Sequence, residues 1–298
     1  MPATRDHGGG VDAAVRRFGG ARGDWIDLST GINPVPYPLP AIPAQSWATL
    51  PDHAAQDALI KAARAFWNVP KGADILATNG ASAPIAAIPL LGQGAVRIDA
   101  PTYNEHAAAL RSAGWAVTEA PTLAALQGAA LAVVVNPNNP DGKRYTPAEL
   151  LALAKTVGLL VVDESFVDPE PELSLAPNLT ADNIIILRSF GKFYGLAGIR
   201  VGFALSSKAY ATRLKDFAGP WPVAGPSLPI AAQALADTTW QQDTIIRLQQ
   251  DAARLDAMAH AKGWQLIGGT PLFRTYATPS AKTAQEHLAK QRIWSRIF

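Results

Sequence analysis

The sequence predicts an α/β protein with a mainly parallel sheet that is covered by helices on both faces. Short apolar runs recur along the chain, and stretches with apolar residues at helical spacing separate them. Strands that alternate with helices form parallel sheets, and a strand that is apolar throughout is buried on both faces. The runs are DILAT (74–78), AVRIDA (95–100), LAVVV (131–135), GLLVVD (158–163), NIIIL (183–187) and VGFAL (201–205).

The helical patterns divide the chain into three regions. PDHAAQDALIKAARAFW (51–67) predicts the first long helix, and a second follows GPWPVAGPS (219–227), with Gly263 as its stop. In this second helix the apolar residues at helical spacing are Ile245, Leu248, Ala252, Leu255 and Ala259. We expect an N-terminal arm over 1–49 that forms part of a small domain. A large domain over 50–220 and the rest of the small domain over 221–298 follow.

Composition excludes several classes of protein. The chain has 298 residues, 48% hydrophobic and 17% charged, which indicates a folded globular protein. Its 26 Lys+Arg against 24 Asp+Glu give no electrostatic case for nucleic acid. The absence of cysteine excludes disulfides and zinc–thiolate sites. No apolar run approaches the roughly 20 residues of a membrane span. We therefore expect a cytoplasmic protein with no metal, membrane or nucleic-acid partner.

Polar or tight sequences follow the predicted strands, and ligands of open α/β sheets bind at the carboxyl ends of strands. The turn Asn79-Gly80-Ala81-Ser82 follows DILAT and offers backbone N–H groups to an anion. Tyr103 follows AVRIDA, and Asn139 lies in NPNNPDG (136–142) after LAVVV. Each of these features alone is more often turn chemistry or packing, so none predicts a site by itself.

Asp163 and Lys192 are harder to explain as ordinary surface residues. Asp163 ends an apolar run, where a carboxylate is costly unless it meets a cation or a donor. Lys192 lies just beyond NIIIL, between Ser189 and Arg200. These groups together suit a phosphorylated aromatic aldehyde with a basic ring nitrogen. Lys192 would form the Schiff base and Asp163 would hold the ring nitrogen. Ser189, Arg200 and the turn from Gly80 to Ser82 would bind the phosphate.

NPNNPDG, VVDESF and SFGKFYGLAGIRVG, in this order, resemble the class I and II aminotransferase superfamily, which consists of fold type I pyridoxal phosphate enzymes. The resemblance covers residues 25–275 and implies pyridoxal 5′-phosphate as the cofactor and aminotransferase fold type I, with its seven-stranded type of sheet. It implies that Lys192 bonds the cofactor, Asp163 pairs with the ring nitrogen, Asn139 binds the ring 3-hydroxyl and Tyr103 stacks on the ring. It also implies that the cofactor phosphate is bound by Ser189, Arg200 and the backbone amides of Ala81 and Ser82.

A narrower likeness points to decarboxylases of the cobalamin pathway. It rests on HGGG (7–10), WIDLSTGINPVPYP (25–38), LPDHAAQDALIKAA (50–63), PTYNEHAAALRSAGW (101–115) and DESFVD (163–168). It implies that L-threonine O-3-phosphate, a small phosphorylated amino acid, is decarboxylated to (R)-1-aminopropan-2-ol O-phosphate. The superfamily resemblance also implies a homodimer.

Two alternatives stay open. A histidinol-phosphate-type aminotransferase shares the fold and the cofactor site, although Leu50 stands before Pro51 where those enzymes have a tyrosine. A non-catalytic scaffold of the corrin pathway would have no need of Lys192. Two departures from the family pattern are Gly191, where many relatives have a second phosphate-binding hydroxyl, and Phe166, where some aminotransferases have tyrosine.

The substrate contacts follow from the same resemblance. His7 and the segment with Gly31, Ile32 and Asn33 are expected to cap the substrate phosphate. The resemblance also implies that relatives bind the substrate carboxylate through an arginine on a strand that has no counterpart in this sequence. The chain ends in IWSRIF (293–298) and is expected to be shorter than its relatives, so Arg274 in PLFRTY (271–276) is the candidate for that role.

Overall fold

A computed structural model describes residues 7–298, which form eleven strands and eleven α-helices. Residues 1–6 of the expected N-terminal arm lie outside the described residues. The strands are β1 (Ile26–Leu28), β2 (Asp74–Asn79), β3 (Ala95–Asp99), β4 (Ala116–Ala120), β5 (Leu131–Val135), β6 (Leu159–Asp163), β7 (Ile184–Ser189), β8 (Val201–Ser206), β9 (Gln265–Thr270), β10 (Phe273–Ala277) and β11 (Ile293–Ser295).

The first long helix that the sequence predicts is present, whereas the predicted second one is divided at Asp237 into two helices. In chain order they are α1 (Val11–Phe18), α2 (Gln45–Ala48), α3 (His53–Phe66), α4 (Ser82–Ala87), α5 (Asn104–Ser112), α6 (Pro147–Ala154), α7 (Phe190–Phe193), α8 (Lys208–Ala218), α9 (Ser227–Ala236), α10 (Thr238–Ala261) and α11 (Ala281–Lys290). Helix α10 ends just before Gly263, which has the left-handed φ of 73° that favours glycine. Within residues 7–298, no helix is both long and apolar enough to cross a membrane.

Seven strands form the central sheet in the order β2-β8-β7-β6-β5-β3-β4. The expected mainly parallel α/β sheet is confirmed, with one antiparallel member: β8 runs against both β2 and β7. The link between β7 and β8, residues 190–200, is shorter than the dozen or so residues that a parallel crossover usually takes. The chain therefore returns beside β7 in the opposite direction, and the start of β8 meets the end of β7.

The apolar strands are buried on both faces, as the sequence predicts. In β7, Ile184 and Ile186 pack into one core with α3, α6 and α9, whereas Ile185 and Leu187 pack into a second core with α4, α5 and α8. Strand β4 is missing from the sequence interpretation. It is an edge strand with three exposed residues in five, so its sequence AVTEA carries no continuous apolar signal.

Two small sheets complete the fold. Strand β1 pairs with β11 in parallel, so residues near both ends of the described chain come together. Strands β9 and β10 form an antiparallel pair whose register shifts between Thr275 and Tyr276. The division into domains near residues 49 and 220 stays a prediction.

Gly202 in β8 lies directly beneath the turn that follows β2. A Cβ at Gly202 would stand 2.4 Å from the backbone nitrogen of Ala81, whereas a Cβ at Gly198 would meet no atom within 4 Å. We expect Gly202→Ala to lower the free energy of unfolding by about 1–3 kcal/mol, because backbone must move to admit the methyl group. Gly198→Ala should leave the free energy of unfolding nearly unchanged. A denaturant titration of both variants measures the two values. Equal stability of the two variants would contradict this packing.

Candidate functional site

The strand directions bring the predicted site residues to one edge of the sheet. Strands β2, β3, β5, β6 and β7 share one direction, so their carboxyl ends meet there, and β8 begins at the same edge. The residues at this edge are Gly80, Ala81 and Ser82 after β2, Tyr103 after β3, Asn139 after β5, Asp163 at the end of β6, Ser189 at the end of β7, Lys192 in α7 and Arg200 before β8.

The carboxylate of Asp163 is buried, and both of its oxygens have hydrogen-bond partners. His106 Nε2 lies 2.8 Å from Asp163 Oδ2, while Ser165 donates to Oδ1 from its backbone nitrogen at 3.0 Å and from its hydroxyl at 2.5 Å. Burial raises the pKa of Asp163, but the bonds from His106 and Ser165 outweigh it and hold the pKa below its usual value. Asp163 is therefore a fixed anion in the protein interior.

His106 is a site residue that the sequence interpretation missed. It lies in α5, three residues after Tyr103, and only 3% of it is exposed. The rings of Tyr103 and His106 meet edge to face, with centroids 6.1 Å apart. A buried carboxylate at the end of β6 needs a donor from a neighbouring element, and this need is the signal that could have singled out His106.

Lys192 is half-buried in the four-residue helix α7, and its Nζ lies 5.4 Å from the centre of the Phe166 ring. Burial lowers the pKa of the Lys192 amine; Asp163 opposes this shift, and the positive charges of Arg200 and Arg296 add to it. A lysine with a lowered pKa is more often the neutral nucleophile at neutral pH.

Gly191 lies where the family resemblance implies a hydroxyl side chain in many relatives. A Cβ at Gly191 would lie 2.6 Å from the Cα of Ala197, because the chain folds back tightly after Lys192. Serine or threonine would not fit there without a shift of backbone. Close backbone packing thus leaves no room for a side chain at this position.

The turn after β2 and the guanidinium of Arg200 form a cradle for an anion. Gly80 has a φ of 67°, and a Cβ on it would lie 2.6 Å from Arg200 Nη2. Arg200 is itself in the left-handed region, with a φ of 54°, and its Nη1 donates to the carbonyl of Ala197 at 3.3 Å. Backbone N–H groups at the start of α4 and a guanidinium on the same turn are suited to a phosphate.

The three asparagines of NPNNPDG have different roles. Asn136 donates to the carbonyl of Tyr145 at 2.9 Å, and Asn138 donates to the carbonyl of Pro101 at 2.8 Å, so both are bonded within the fold. The described residues give the Asn139 side chain no hydrogen-bond partner. Its amide therefore takes no part in the hydrogen bonds that hold this loop.

Tyr103 combines a partly buried ring with a phenol among charges. Burial raises the pKa of the Tyr103 phenol, Glu105 and Asp163 add to the rise, and Arg296 and Arg200 oppose it. The ring therefore lies within electrostatic range of both the carboxylate and the arginines of the site.

The N-terminal segment reaches the same edge. A Cβ at Gly31 would lie 2.7 Å from Phe166 Cε1 and 3.3 Å from Phe273 Cδ1, so only glycine fits against this aromatic pair. Asn33 is buried, Ile32 is half-buried, and His7 Nε2 lies 3.3 Å from Glu105 Oε1 on α5.

Arg274 does not occupy the place that the sequence interpretation gives it. Its guanidinium makes a two-pronged ion pair with Asp256 on α10, in which Nε donates to Oδ1 at 2.9 Å. The Tyr276 hydroxyl donates to the same oxygen at 2.6 Å. Asp256 raises the pKa of Arg274, as expected for a cation already held by its own carboxylate. Arg274 is absent from the charges that act on Lys192.

Arg296 stands at the site instead. Leu28 of β1 pairs with Ser295 of β11, so Arg296 leaves its strand at the same end as the segment from Ser29 to Asn33. It is half-buried, and its charge acts on both Tyr103 and Lys192. The strand IWS just before it was the available signal, but so short a strand is easily missed.

The sequence matches the family model for Aminotransferase class I and II over residues 24–296. The chain belongs to this family. The predicted family and fold type are confirmed, and with them the cofactor: enzymes of this family use pyridoxal 5′-phosphate.

Two relatives match along nearly the whole chain. A threonine-phosphate decarboxylase of Sinorhizobium sp is 41% identical and covers 100% of this chain and 91% of that protein. A protein of the same name from Pseudomonas aeruginosa is 40% identical, over 98% of this chain and 89% of that one.

Solved structures share the fold. A histidinol-phosphate aminotransferase from Sinorhizobium meliloti, in complex with pyridoxal-5′-phosphate, superposes with a TM-score of 0.80 at 20% identity, over 99% of this chain and 87% of that one. An L-threonine-O-3-phosphate decarboxylase from Porphyromonas gingivalis gives a TM-score of 0.68 at 22% identity, over 84% and 81% of the two chains.

The donor set of the site fits this cofactor. The fixed anion Asp163 suits a protonated ring nitrogen, and the amide of Asn139 suits a ring hydroxyl. The cradle between Gly80 and Arg200 suits a phosphate, and the amine of Lys192 suits an aldehyde.

Removal of His106 should reverse the pKa shift of Asp163. In His106→Leu the bond from the His106 ring to Asp163 Oδ2 is lost while burial stays, so we expect the pKa of Asp163 to rise. This pKa can be measured by carboxyl ¹³C NMR of the cofactor-free protein. The signal of Asp163 is assigned by its absence in the Asp163→Asn variant. His260→Leu, which removes an exposed histidine of α10, is the control and should leave the titration unchanged. An unchanged titration in His106→Leu would show that His106 does not hold the carboxylate.

Proposed function

We propose that this protein is a pyridoxal-phosphate-dependent decarboxylase that converts L-threonine O-3-phosphate to (R)-1-aminopropan-2-ol O-phosphate, a step of cobalamin biosynthesis. One observation carries the proposal: a lysine with a lowered pKa lies with a buried anion and an anion cradle at one edge of the sheet. The two relatives that match nearly the whole chain are both named for this reaction, which agrees with the prediction from the sequence.

Each part of the cofactor has a proposed partner in the site. Asp163 would hold the ring nitrogen in its protonated form, with His106 and Ser165 keeping the carboxylate ionised. Asn139 would bind the ring hydroxyl and Tyr103 would cover one face of the ring. The phosphate would be held by Ser189, Arg200 and the backbone of Gly80, Ala81 and Ser82. When bound, pyridoxal phosphate supplies an electron sink for the electron pair that stays on the substrate Cα when a bond to that carbon breaks.

The choice of the bond that breaks depends on how the substrate is oriented. A decarboxylase would have to hold the substrate so that the bond from Cα to the carboxylate breaks and the Cα–H bond does not. We assign this task to Arg296, a cation near both Tyr103 and Lys192 that can pair with a carboxylate through two hydrogen bonds. The sequence-based candidate Arg274 is already paired with Asp256.

Lys192 would handle the proton. Its neutral amine would bond the cofactor in the resting enzyme and would be free to carry a proton during the reaction. After CO₂ leaves, the ammonium form of Lys192 would deliver one proton to Cα, where the carboxylate was. The aromatic pair Phe166 and Phe273 would keep water from this proton, since Lys192 Nζ lies over the Phe166 ring.

The N-terminal segment is the proposed binding place for the substrate phosphate. His7 lies beside α5, and the backbone N–H groups of Gly31 and Ile32 follow β1 at the same edge. Backbone N–H groups on a loop and the ring N–H of a histidine can both donate hydrogen bonds to a phosphate. This part of the proposal assigns to the substrate a segment that does not belong to the cofactor cradle.

The alternatives have less support. A histidinol-phosphate aminotransferase of Escherichia coli is 30% identical over 75% of this chain, so it is less similar and matches less of the chain than the two decarboxylases. The structural likeness to aminotransferases lies near 20% identity and shows the fold alone. A scaffold without catalysis would need neither the lowered pKa of Lys192 nor the buried anion.

The cytoplasm remains the expected location of the protein.

A homodimer is the proposed assembly. Large apolar side chains are exposed on two segments, with Trp47 at 72%, Leu50 at 65% and Trp221 at 52% exposure. The segments meet where Gly225 packs on the Ser46 carbonyl. A second copy would remove this surface from water, which supports the homodimer.

The two arginines can be separated by kinetics. We expect Arg296→Met to lower kcat/KM about 10- to 100-fold, because a charge-assisted contact to the substrate carboxylate is lost. Arg274→Met should change kcat/KM by less than about threefold, because Arg274 is paired with Asp256 away from the reacting carbon. The opposite order of effects would return the role to Arg274.

The activity itself is tested by an NMR time course with pyridoxal phosphate and L-threonine O-3-phosphate, without any keto acid. We expect aminopropanol phosphate and CO₂ in equal amounts. Conversion of the cofactor to its pyridoxamine form, with the substrate carboxylate retained, would instead support the aminotransferase. Lys192→Ala is the control and should lose at least about 10²–10⁴-fold in rate.

A further inference from the structure

Asn33 joins the N-terminal segment to the helix that carries Lys192. It is 2% exposed. Its backbone N–H donates to the carbonyl oxygen of Lys192 at 3.0 Å, and its Nδ2 donates to the carbonyl oxygen of Phe193 at 2.9 Å. Carbonyl groups at the end of a helix lack partners within that helix. Asn33 therefore fastens two consecutive carbonyls of α7, one of them on the lysine itself.

The oxygen of the same side chain is held from another direction. Asn33 Oδ1 accepts from Arg247 Nη2 at 2.6 Å and from the backbone nitrogen of Val35 at 3.0 Å. Arg247 belongs to α10 and is paired with Asp251 one turn further along, at 3.2 Å. One buried amide thus links the N-terminal segment, α7 and α10.

The position of the Lys192 backbone matters because the side chain is long. Four rotatable bonds separate the Cα from the amine, so the place of the amine depends on how firmly the backbone is held. A displacement of about 1 Å at a reacting group can cost about 10²-fold in rate. Since burial lowers the pKa of this amine, a looser helix would also let water reach it and raise the pKa.

We propose that Asn33 is a positioning residue for Lys192, supported from α10 by Arg247. It acts through the lysine backbone, whereas the family resemblance places it among the contacts of the substrate phosphate. The inference rests on the proposed function only in taking Lys192 as the residue that bonds the cofactor.

Asn183 offers a matched control. It lies before β7, at the end away from Lys192, and its Nδ2 donates to the carbonyls of Ala154 at 2.8 Å and Val157 at 3.1 Å. Asn183→Ala removes a side-chain amide from two backbone carbonyls, and Asn33→Ala removes one from the Phe193 carbonyl while the backbone bond of residue 33 to Lys192 remains. We expect both variants to lose thermal stability to a similar extent.

Of these two variants, only Asn33→Ala should change the amine of Lys192. We expect its pKa to rise by about half a unit or more, measured as the pH dependence of labelling by an amine-reactive reagent, with the Lys192 peptide quantified by mass spectrometry in cofactor-free protein. Asp163, Arg200 and Arg296, the charged groups that act on Lys192, are unchanged in every variant. We also expect kcat to fall about 10- to 100-fold, with a smaller change in KM.

Arg247→Met tests the support from α10. It leaves both bonds from Asn33 to α7 in place, so we expect a shift in the same direction as in Asn33→Ala but smaller. A labelling curve equal to that of the parent protein would overturn the part assigned to Arg247.

The proposal as a whole is overturned if Asn33→Ala and Asn183→Ala give the same Lys192 labelling curve and the same kcat. The labelling comparison needs no cofactor and no substrate. A parent protein that forms no aminopropanol phosphate would contradict the proposed function, while the labelling curves would still decide the role of Asn33.

Discussion

The buried carboxylate of Asp163 is the constraint around which the site is arranged. An ionised carboxylate in a protein interior is costly unless donors surround it, and here His106 and Ser165 use both of its oxygens. The contact with His106 requires α5 to lie across the end of β6, and that placement also sets Tyr103 at the edge of the sheet. Asp163 and Tyr103, the two residues proposed to contact the cofactor ring, are thus positioned together.

The direction of β8 is the second constraint on the arrangement of the site. Because the link from β7 is short, β8 returns antiparallel, and the residues just before it lie at the same edge as the ends of the parallel strands. Lys192 and Arg200 both lie on this link. Gly191 and Gly202 make the tight path possible, one against Ala197 and the other beneath the turn at Ala81. A single connection therefore supplies the amine and the main cation of the anion cradle.

Much of this could be predicted from the sequence, because the buried strands are apolar throughout. LAVVV, GLLVVD and NIIIL are continuous apolar runs of strand length, which is typical of buried strands. In a parallel sheet the residues that bind ligands lie at the carboxyl ends of such strands. What escaped prediction depends on contacts between distant segments. His106 has meaning only beside Asp163, and the pairing of Arg274 with Asp256 needs α10 to pack on β10. Arg296 reaches the site only because β11 pairs with β1.

The central claim is that Lys192 is the residue that bonds the cofactor. The direct measurement is borohydride reduction of the protein loaded with pyridoxal phosphate, followed by proteolysis and mass spectrometry of the peptides. We expect a single pyridoxyl group, carried by Lys192 in the peptide that follows β7. A pyridoxyl group on another lysine, or none at all, would contradict the assignment of this edge of the sheet as the active site.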